Sequence, residues 1–444
     1  MTECTSANFL GKGTAWPLDR IKDNVSKIGS GVTPTGGATS YSDSGIPLLR
    51  SQNVHFEGIR LDDVAFIDEE IHAEMRGTQL KEKDVLLNIT GASIGRCTFV
   101  PDGFGEGNVN QHVCIIRPSS RLDHRFLTYC LAAPWGQDQI FAGFTGASRQ
   151  GLGQRDLGEI QIPLPDRTTQ EKVIAYLDAS CAAIDAAVAA KRRQIEALER
   201  TRKSTITRAM VRGLNPAVQL KTSGQHWLGN IPTHWTAPSL KRLLIEPLTY
   251  GLNEAAELED RELPRYLRIT DFDESGALRD DTFRSLPREV AREAPLVTND
   301  VLFARSGATV GKTFLFRDYQ GDACFAGYLI RARTAPWKIN PLFLYLFTKT
   351  TAYETWKNLT FTQATIQNIS AAKYNYLVIP LPPLSEQHSI CGFVEQCNAD
   401  FARLTASINR QITTLTAYRK SLIHECVTGQ RRITEHNTSN LVLP

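Results

Sequence analysis

Gly307-Ala308-Thr309-Val310-Gly311-Lys312-Thr313 has the residue types of a phosphate-binding loop, whose backbone N–H groups curve around a phosphate while a lysine reaches its oxygens. That curvature needs four residues between the glycines, and here there are three. Gly91-Ala92-Ser93-Ile94-Gly95-Arg96-Cys97 repeats the spacing with Arg96 and Cys97 where a lysine and a hydroxyl residue belong. A strand followed by a tight glycine turn that projects a basic residue explains both segments and leaves nucleotide hydrolysis without a site. Asp166, Glu171 and Lys172 have the types of a nuclease cluster, but Glu171 and Lys172 are adjacent at the start of a helical pattern. Gly103, Gly105 and Gly107 lack the flanking strand and helix of a dinucleotide site. Gly-x-Ser-x-Gly, His-Glu-x-x-His and Asp-Pro-Pro-Tyr motifs do not occur, so serine hydrolase, zincin and amino-methyltransferase chemistry have no visible residues. Nine scattered cysteines without a Cys-x-x-Cys pair, and equally dispersed histidines, read as packing residues and not as metal ligands. The expectation is a non-catalytic chain with no metal and no cofactor of its own.

The remaining chemistry is that of hydrogen-bonded recognition. Arg50, Gln52 and Asn53 follow an apolar run, and Arg268 and Thr270 occupy a comparable place later in the chain. Arg149, Gln150, Gln154 and Arg155 form a second cluster, with Gln363, Gln367, Asn368 and Lys373 as its counterpart. Arg96, Arg305 and Lys312 flank the glycine turns. Arginine, glutamine and asparagine can bond guanine and adenine edges bidentately, so these are candidate DNA-binding residues; solvated loop residues are the alternative for each. The run Lys191-Arg192-Arg193 with Arg200, Arg202, Lys203 and Arg208 fits a phosphate or partner surface and a solvated helix face equally well.

Fifty Lys+Arg against 47 Asp+Glu give a net charge of +3, which excludes a polybasic mode of binding and requires local patches. The N-terminus MTECTSANFLGKG has no basic segment leading an apolar run, and no stretch of about 18 apolar residues stands out. A cytoplasmic location is expected.

These residues belong to a repeat. Asp84–Arg96 returns as Asp300–Lys312, 216 positions later. Phe144-Thr145-x-Ala147-Ser148-x-Gln150 recurs as Phe361-Thr362-x-Ala364-Thr365-x-Gln367, and Ile162-Pro163-Leu164-Pro165 as Ile379-Pro380-Leu381-Pro382. Gln170 matches Gln387, and Arg202-Lys203-Ser204 matches Arg419-Lys420-Ser421. A near-constant offset over separated segments is a duplication. Residues shared by both copies then suit structure or phosphate positioning, while base-reading residues should differ between them.

Each copy opens with short apolar or β-branched runs divided by Gly and Asp turns, at residues 14–165 and 236–382, and each run ends where two prolines forbid a helix. Helical regions follow at 166–213 and 383–430, with a polar connector at 214–235. In the second copy Ile390, Val394, Cys397, Phe401, Leu404, Ile408, Gln411, Leu415, Tyr418 and Leu422 form a heptad seam. The first copy gives Val173, Leu177, Ser180, Ile184, Ala187, Lys191, Gln194, Leu198, Thr201 and Thr205 in register. Gln194 and Gln411 stand at matched seam positions, where a polar residue can fix helix alignment. Helix stops are expected near Gly213 and Gly429. The predicted fold class is α+β: two similar mixed α/β domains separated by two long antiparallel helices in an intramolecular coiled coil, forming a pseudo-two-fold internal repeat.

Two globular segments closed by Ile-Pro-Leu-Pro, then Pro383-Leu384-Ser385-Glu386-Gln387 or its worn counterpart Arg167-Thr168-Thr169-Gln170, then a long helix ending Val-x-Gly, resemble the specificity subunit of type I restriction-modification systems. The connector Trp227-Leu228-Gly229-Asn230-Ile231-Pro232-x-x-Trp235 adds to that resemblance. It implies that each globular segment is a target-recognition domain reading half of a split double-stranded DNA site, with the helices as a ruler for the unread spacer. It further implies two modification subunits that use S-adenosylmethionine, and restriction subunits that use ATP and Mg. The sequence departs from the pattern at Thr169, where the second copy has Glu386. The alternative class is an interaction scaffold or decoy that binds methyltransferase subunits without reading DNA.

Overall fold

The computed structural model describes residues 13–145, 151–255, 257–273, 276–361 and 368–434. The candidates Arg149, Gln150, Gln363 and Gln367 lie outside the described residues. The chain forms two compact units, residues 1–191 with 409–444 and residues 192–408.

In the first unit, strands β1 (Val25–Ser30), β2 (Val85–Asn88), β3 (Cys97–Phe99) and β4 (Val113–Pro118) form an antiparallel sheet in the order β1-β4-β2-β3. All four β2 residues are buried because both faces of the sheet are covered, which is why the sequence shows continuous apolar runs and not alternation. Val85 and Leu87 pack with Phe126 and Leu127 of the helix His124–Ala132, while Leu86 points to the opposite cluster with Leu49, Val109 and Ile115. The strand Ile46–Leu49 adds a second small sheet, parallel to Asn108–Val109.

The second unit repeats this plan. Strands β5 (Thr249–Tyr250), β6 (Val301–Ala304), β7 (Thr313–Leu315) and β8 (Leu329–Ala332) have the order β5-β8-β6-β7. Arg265–Leu267 pairs parallel with Ala323–Phe325. In each unit a buried aspartate fixes the loop before the central strand. Asp84 takes a bidentate bond from Arg117 at 2.6 and 2.7 Å, and Asp300 takes one from Arg333 at 2.9 and 2.8 Å. The carboxylates hold both guanidinium pKa values above their usual range through these hydrogen bonds.

Two long helices, α1 (Arg167–Arg212) and α2 (Leu384–Val427), follow the proline segments, and each passes unbroken through both units. Within the first unit Val173, Leu177, Cys181 and Ile184 of α1 share a core with Leu422, Ile423 and Cys426 of α2, so the helices run antiparallel there. Within the second, Ile206, Ala209 and Met210 pack with Ile390, Cys391 and Val394 in the same sense. Helix ends fall where the sequence places them: Gly213 and Gly429 take φ of +76° and +75°, a left-handed stop that glycine adopts without a Cβ clash.

The seam itself differs from the expected one by a single residue at alternate positions. Phe401, Ile408, Leu415 and Leu422 are covered as expected, but the intervening places belong to Thr405, Ile412 and Arg419, while Leu404 and Tyr418 are each 46% exposed. In α1 the corresponding residues are Cys181, Val188, Ile195 and Arg202, with Leu198 partly covered. Gln194 and Gln411 are exposed, which corrects their assignment to the seam: each is followed by an isoleucine, and the isoleucine takes the covered place because burying it needs no hydrogen-bond partner. Part of α1 is apolar and long enough by composition to cross a membrane, a property not visible as a continuous apolar run. Its carboxylates are engaged within the unit, Asp178 by Arg125 and the Tyr129 hydroxyl and Asp185 by Arg419.

Candidate nucleic-acid interface

The glycine turns are built alike, bond for bond. After β2, Gly95 N–H donates to Asn88 O at 2.9 Å and Asn88 N–H to Arg96 O at 2.8 Å; after β6, Gly311 donates to Ala304 at 2.8 Å and Ala304 to Lys312 at 2.8 Å. Ile89 N–H donates to His112 O and Arg305 N–H to Tyr328 O, both at 3.0 Å. Each turn leads into a strand, β3 or β7, and not into a helix, so no helix N-terminus faces a phosphate and the phosphate-loop reading is excluded by geometry. Gly91 and Gly307 have φ of +70° and +76°, which only glycine adopts readily at this turn.

In the first unit this frame opens on a surface depression of about 480 Å³, to which Gln52, Thr90, Ser93, Arg96 and His112 contribute. Thr33 Oγ1 donates to Gln111 Oε1, which turns the Gln111 amide N–H₂ toward His112 Nε2 at 3.1 Å. In the neutral ring the proton then sits on Nδ1 and is donated to Thr90 Oγ1 at 2.6 Å. The Thr90 hydroxyl hydrogen is thereby directed away from His112.

The other candidates divide by what already holds them. Asn53 is 2% exposed and accepts from Arg50 N–H at 2.9 Å while donating to Arg60 O, so it closes the local 3-10 turn. Arg50 donates to Asp63 O at 2.7 Å, and Gln52 to the Asp63 carboxylate at 2.6 Å. Arg268 grips the buried Asp271 and Thr282 O, and the Asp271 hydrogen bond raises its pKa. Thr270, Lys312 and Arg155 are exposed. Gln154 donates to Ser30 Oγ at 3.0 Å beside the same frame. Arg305 stacks over Tyr250 at 4.7 Å, and Lys373 reaches Thr360 O at 3.3 Å. Asn368 bridges Ser306, with its Oδ1 buried and unpartnered among the described residues. His112, Thr90 and Tyr328 are not among the candidates that the sequence singles out; the signal for them is their place in the repeat, since His112 and Tyr328 lie 216 positions apart and differ.

Two units with one plan, each carrying the same polar turn and each built on both long helices, define a protein with a duplicated recognition surface. The chain belongs to the family of the type I restriction modification DNA specificity domain, which it matches over residues 34–199 and 290–414. It is 21% identical over 396 residues to the type I restriction enzyme StySPI specificity subunit of Salmonella potsdam, covering 87% of this chain and 83% of that protein. The EcoBI specificity subunit of Escherichia coli is 21% identical over 332 residues, covering 72% and 69%. Among solved structures, a chain from work on complex assembly and conformational transition of the type I R-M system has a TM-score of 0.71 at 16% identity, covering 95% of this chain and 99% of that one. The HsdS subunit from Thermoanaerobacter tengcongensis has a TM-score of 0.52 at 15% identity, covering 94% and 97%. These two share the fold.

Proposed function

We propose that this chain is the non-catalytic specificity subunit of a type I restriction-modification enzyme, which reads a two-part double-stranded DNA site and directs its partners there. The observation that supports it is the duplicated frame: one polar turn after β2 and its counterpart after β6, held by equivalent hydrogen bonds. Recognition by two related surfaces in one chain is the chemistry of a split site. Its partners are two modification subunits, which supply S-adenosylmethionine-dependent adenine methylation and base flipping, and restriction subunits, which use ATP and Mg. The length of α1 and α2 sets the number of unread base pairs.

The test is to map methylated adenines genome-wide in cells with and without the chain. Loss of one two-part motif on removal is expected, and exchange of residues 14–165 or 236–382 should change one half of it. A motif set indifferent to the chain would leave the scaffold reading in its place. A seven-residue insertion in each helix adds about 10 Å at 1.5 Å per residue, and the preferred spacer should grow by about three base pairs with both half-sites unchanged.

A further inference from the structure

The two recognition frames are superimposable in their hydrogen bonding and unlike in what they present. Ile89 and Arg305 each donate to the residue that enters β4 or β8, His112 or Tyr328, at 3.0 Å, and each accepts from the chain returning at Leu152 or Ile369, at 2.8 and 2.9 Å. On that common backbone the first unit shows His112 tied to Thr90 at the depression. The second shows Tyr328 at 65% exposure and Arg305 stacked on Tyr250, whose hydroxyl accepts from Ala371 N–H at 2.9 Å. A frame kept while its lining diverges has the form of a reading site that takes a different base in each half.

Resting on the proposed DNA-reading role, we infer that His112 and Tyr328 are specificity-determining residues, one for each half-site. The first lining reads a base edge that offers acceptors. Thr90 accepts from His112 Nδ1 and so keeps its own O–H for donation, and Arg96 of the same depression supplies a guanidinium suited to the O6 and N7 of guanine. The second lining presents an aromatic face at the equivalent point, which suits the C5 methyl of thymine. The side chains of His112 and Tyr328 can be exchanged without touching the frame, because the frame uses only their backbone carbonyls.

The test uses the full chain assembled with its modification subunits, and selects methylated duplexes from a pool of randomised DNA. Four complexes are compared: wild type, His112→Tyr, Tyr328→His, and His112→Asn as a smaller change that keeps a polar side chain. Each variant should lose about tenfold discrimination at one or two positions of one half-site, different halves for the two positions, with the other half identical letter for letter. Unchanged motifs in assembled complexes would overturn the inference. So would loss of both half-sites together, or a fall in melting temperature in all three variants, since these mark a structural role. If the wild-type complex selects no motif, the specificity-subunit reading itself fails, a result distinct from a wild-type motif that the variants leave intact.

Discussion

Glu386 accepts the indole N–H of Trp235 at 3.0 Å, and His234 Nε2 approaches the same carboxylate oxygen at 2.9 Å. The Trp235 ring also lies against the end of α1, where a Cβ on Gly213 would meet it at 3.3 Å. The first copy repeats the contact, with Trp16 against Gly429 and the hypothetical Cβ at 2.5 Å. There the position of Glu386 is held by Thr169, whose hydroxyl is turned to Asp166, and Trp16 Nε1 is buried without a hydrogen-bond partner among the described residues. Thr169→Glu should therefore supply the missing acceptor and stabilise the first unit by about 1–2 kcal/mol. Denaturant unfolding of the two chains measures this, and an unmoved or lowered midpoint would show that the glutamate does not reach the indole.

Gln170 and Gln387 fill equivalent places one turn into the two helices, and both are fully buried. Gln170 accepts from Asp123 N–H at 2.8 Å and donates to Arg121 O and Pro165 O; Gln387 accepts from Asn340 N–H at 2.7 Å and donates to Lys338 O and Pro382 O. Each amide thus ties a long helix to its own domain by three backbone bonds. Replacing either with leucine leaves three backbone groups, buried or partly buried, without their partner, and a loss of about 3 kcal/mol is expected. Equilibrium unfolding checks it; a cost under about 1 kcal/mol would mean that water takes over the bonds.

The exposed Gln194 and Gln411 carry a prediction opposite to the one their sequence positions invite. Gln194→Leu with Gln411→Leu should leave unfolding midpoints and half-site spacing unchanged, since surface substitutions of this kind move stability by about 0.5 kcal/mol or less. Arg202 should be sensitive instead: it donates to Asn398 Oδ1 at 2.7 Å and stacks over Phe401 at 4.8 Å, and its repeat partner Arg419 pairs with Asp185 at 3.1 Å. Arg202→Ala is expected to cost about 1–2 kcal/mol through lost packing and an unpaired Asn398. A glutamine pair that matters more than Arg202 would restore the original seam.

The contrast shows what the sequence makes legible. Gly213, Gly429 and the proline pairs mark boundaries through backbone restrictions that act locally, so the helix ends and the duplication follow directly. The phase of the seam is less determined, because Phe401, Ile408 and Leu415 fit alternation in threes and fours in either order, and only burial selects Ile412 over Gln411. His112 was hidden for another reason. It sits at the mouth of an apolar strand, and its neighbours Thr90 and Gln52 are brought to it by pairing across the sheet and a separate turn.

The buried cysteines give a pH dependence with a definite sign. Burial pushes the thiols of Cys97, Cys114, Cys324, Cys391 and Cys426 up to about 12, because desolvation penalises the thiolate and outweighs the nearby Lys27 at Cys114 and Arg431 at Cys426. A folded-state pKa above the unfolded value stabilises the fold fully below about pH 8.5 and loses that contribution as pH rises toward 12. Unfolding midpoints should accordingly fall above about pH 8.5, and Cys97→Ala should flatten part of the fall. Alkylation of the native protein at pH 8, read by peptide mass, should spare these five thiols and, among the described cysteines, label the partly exposed Cys397 first. Rapid labelling of Cys97 or Cys114 in folded protein would mean that the sheet opens to solvent far more often than its packing allows.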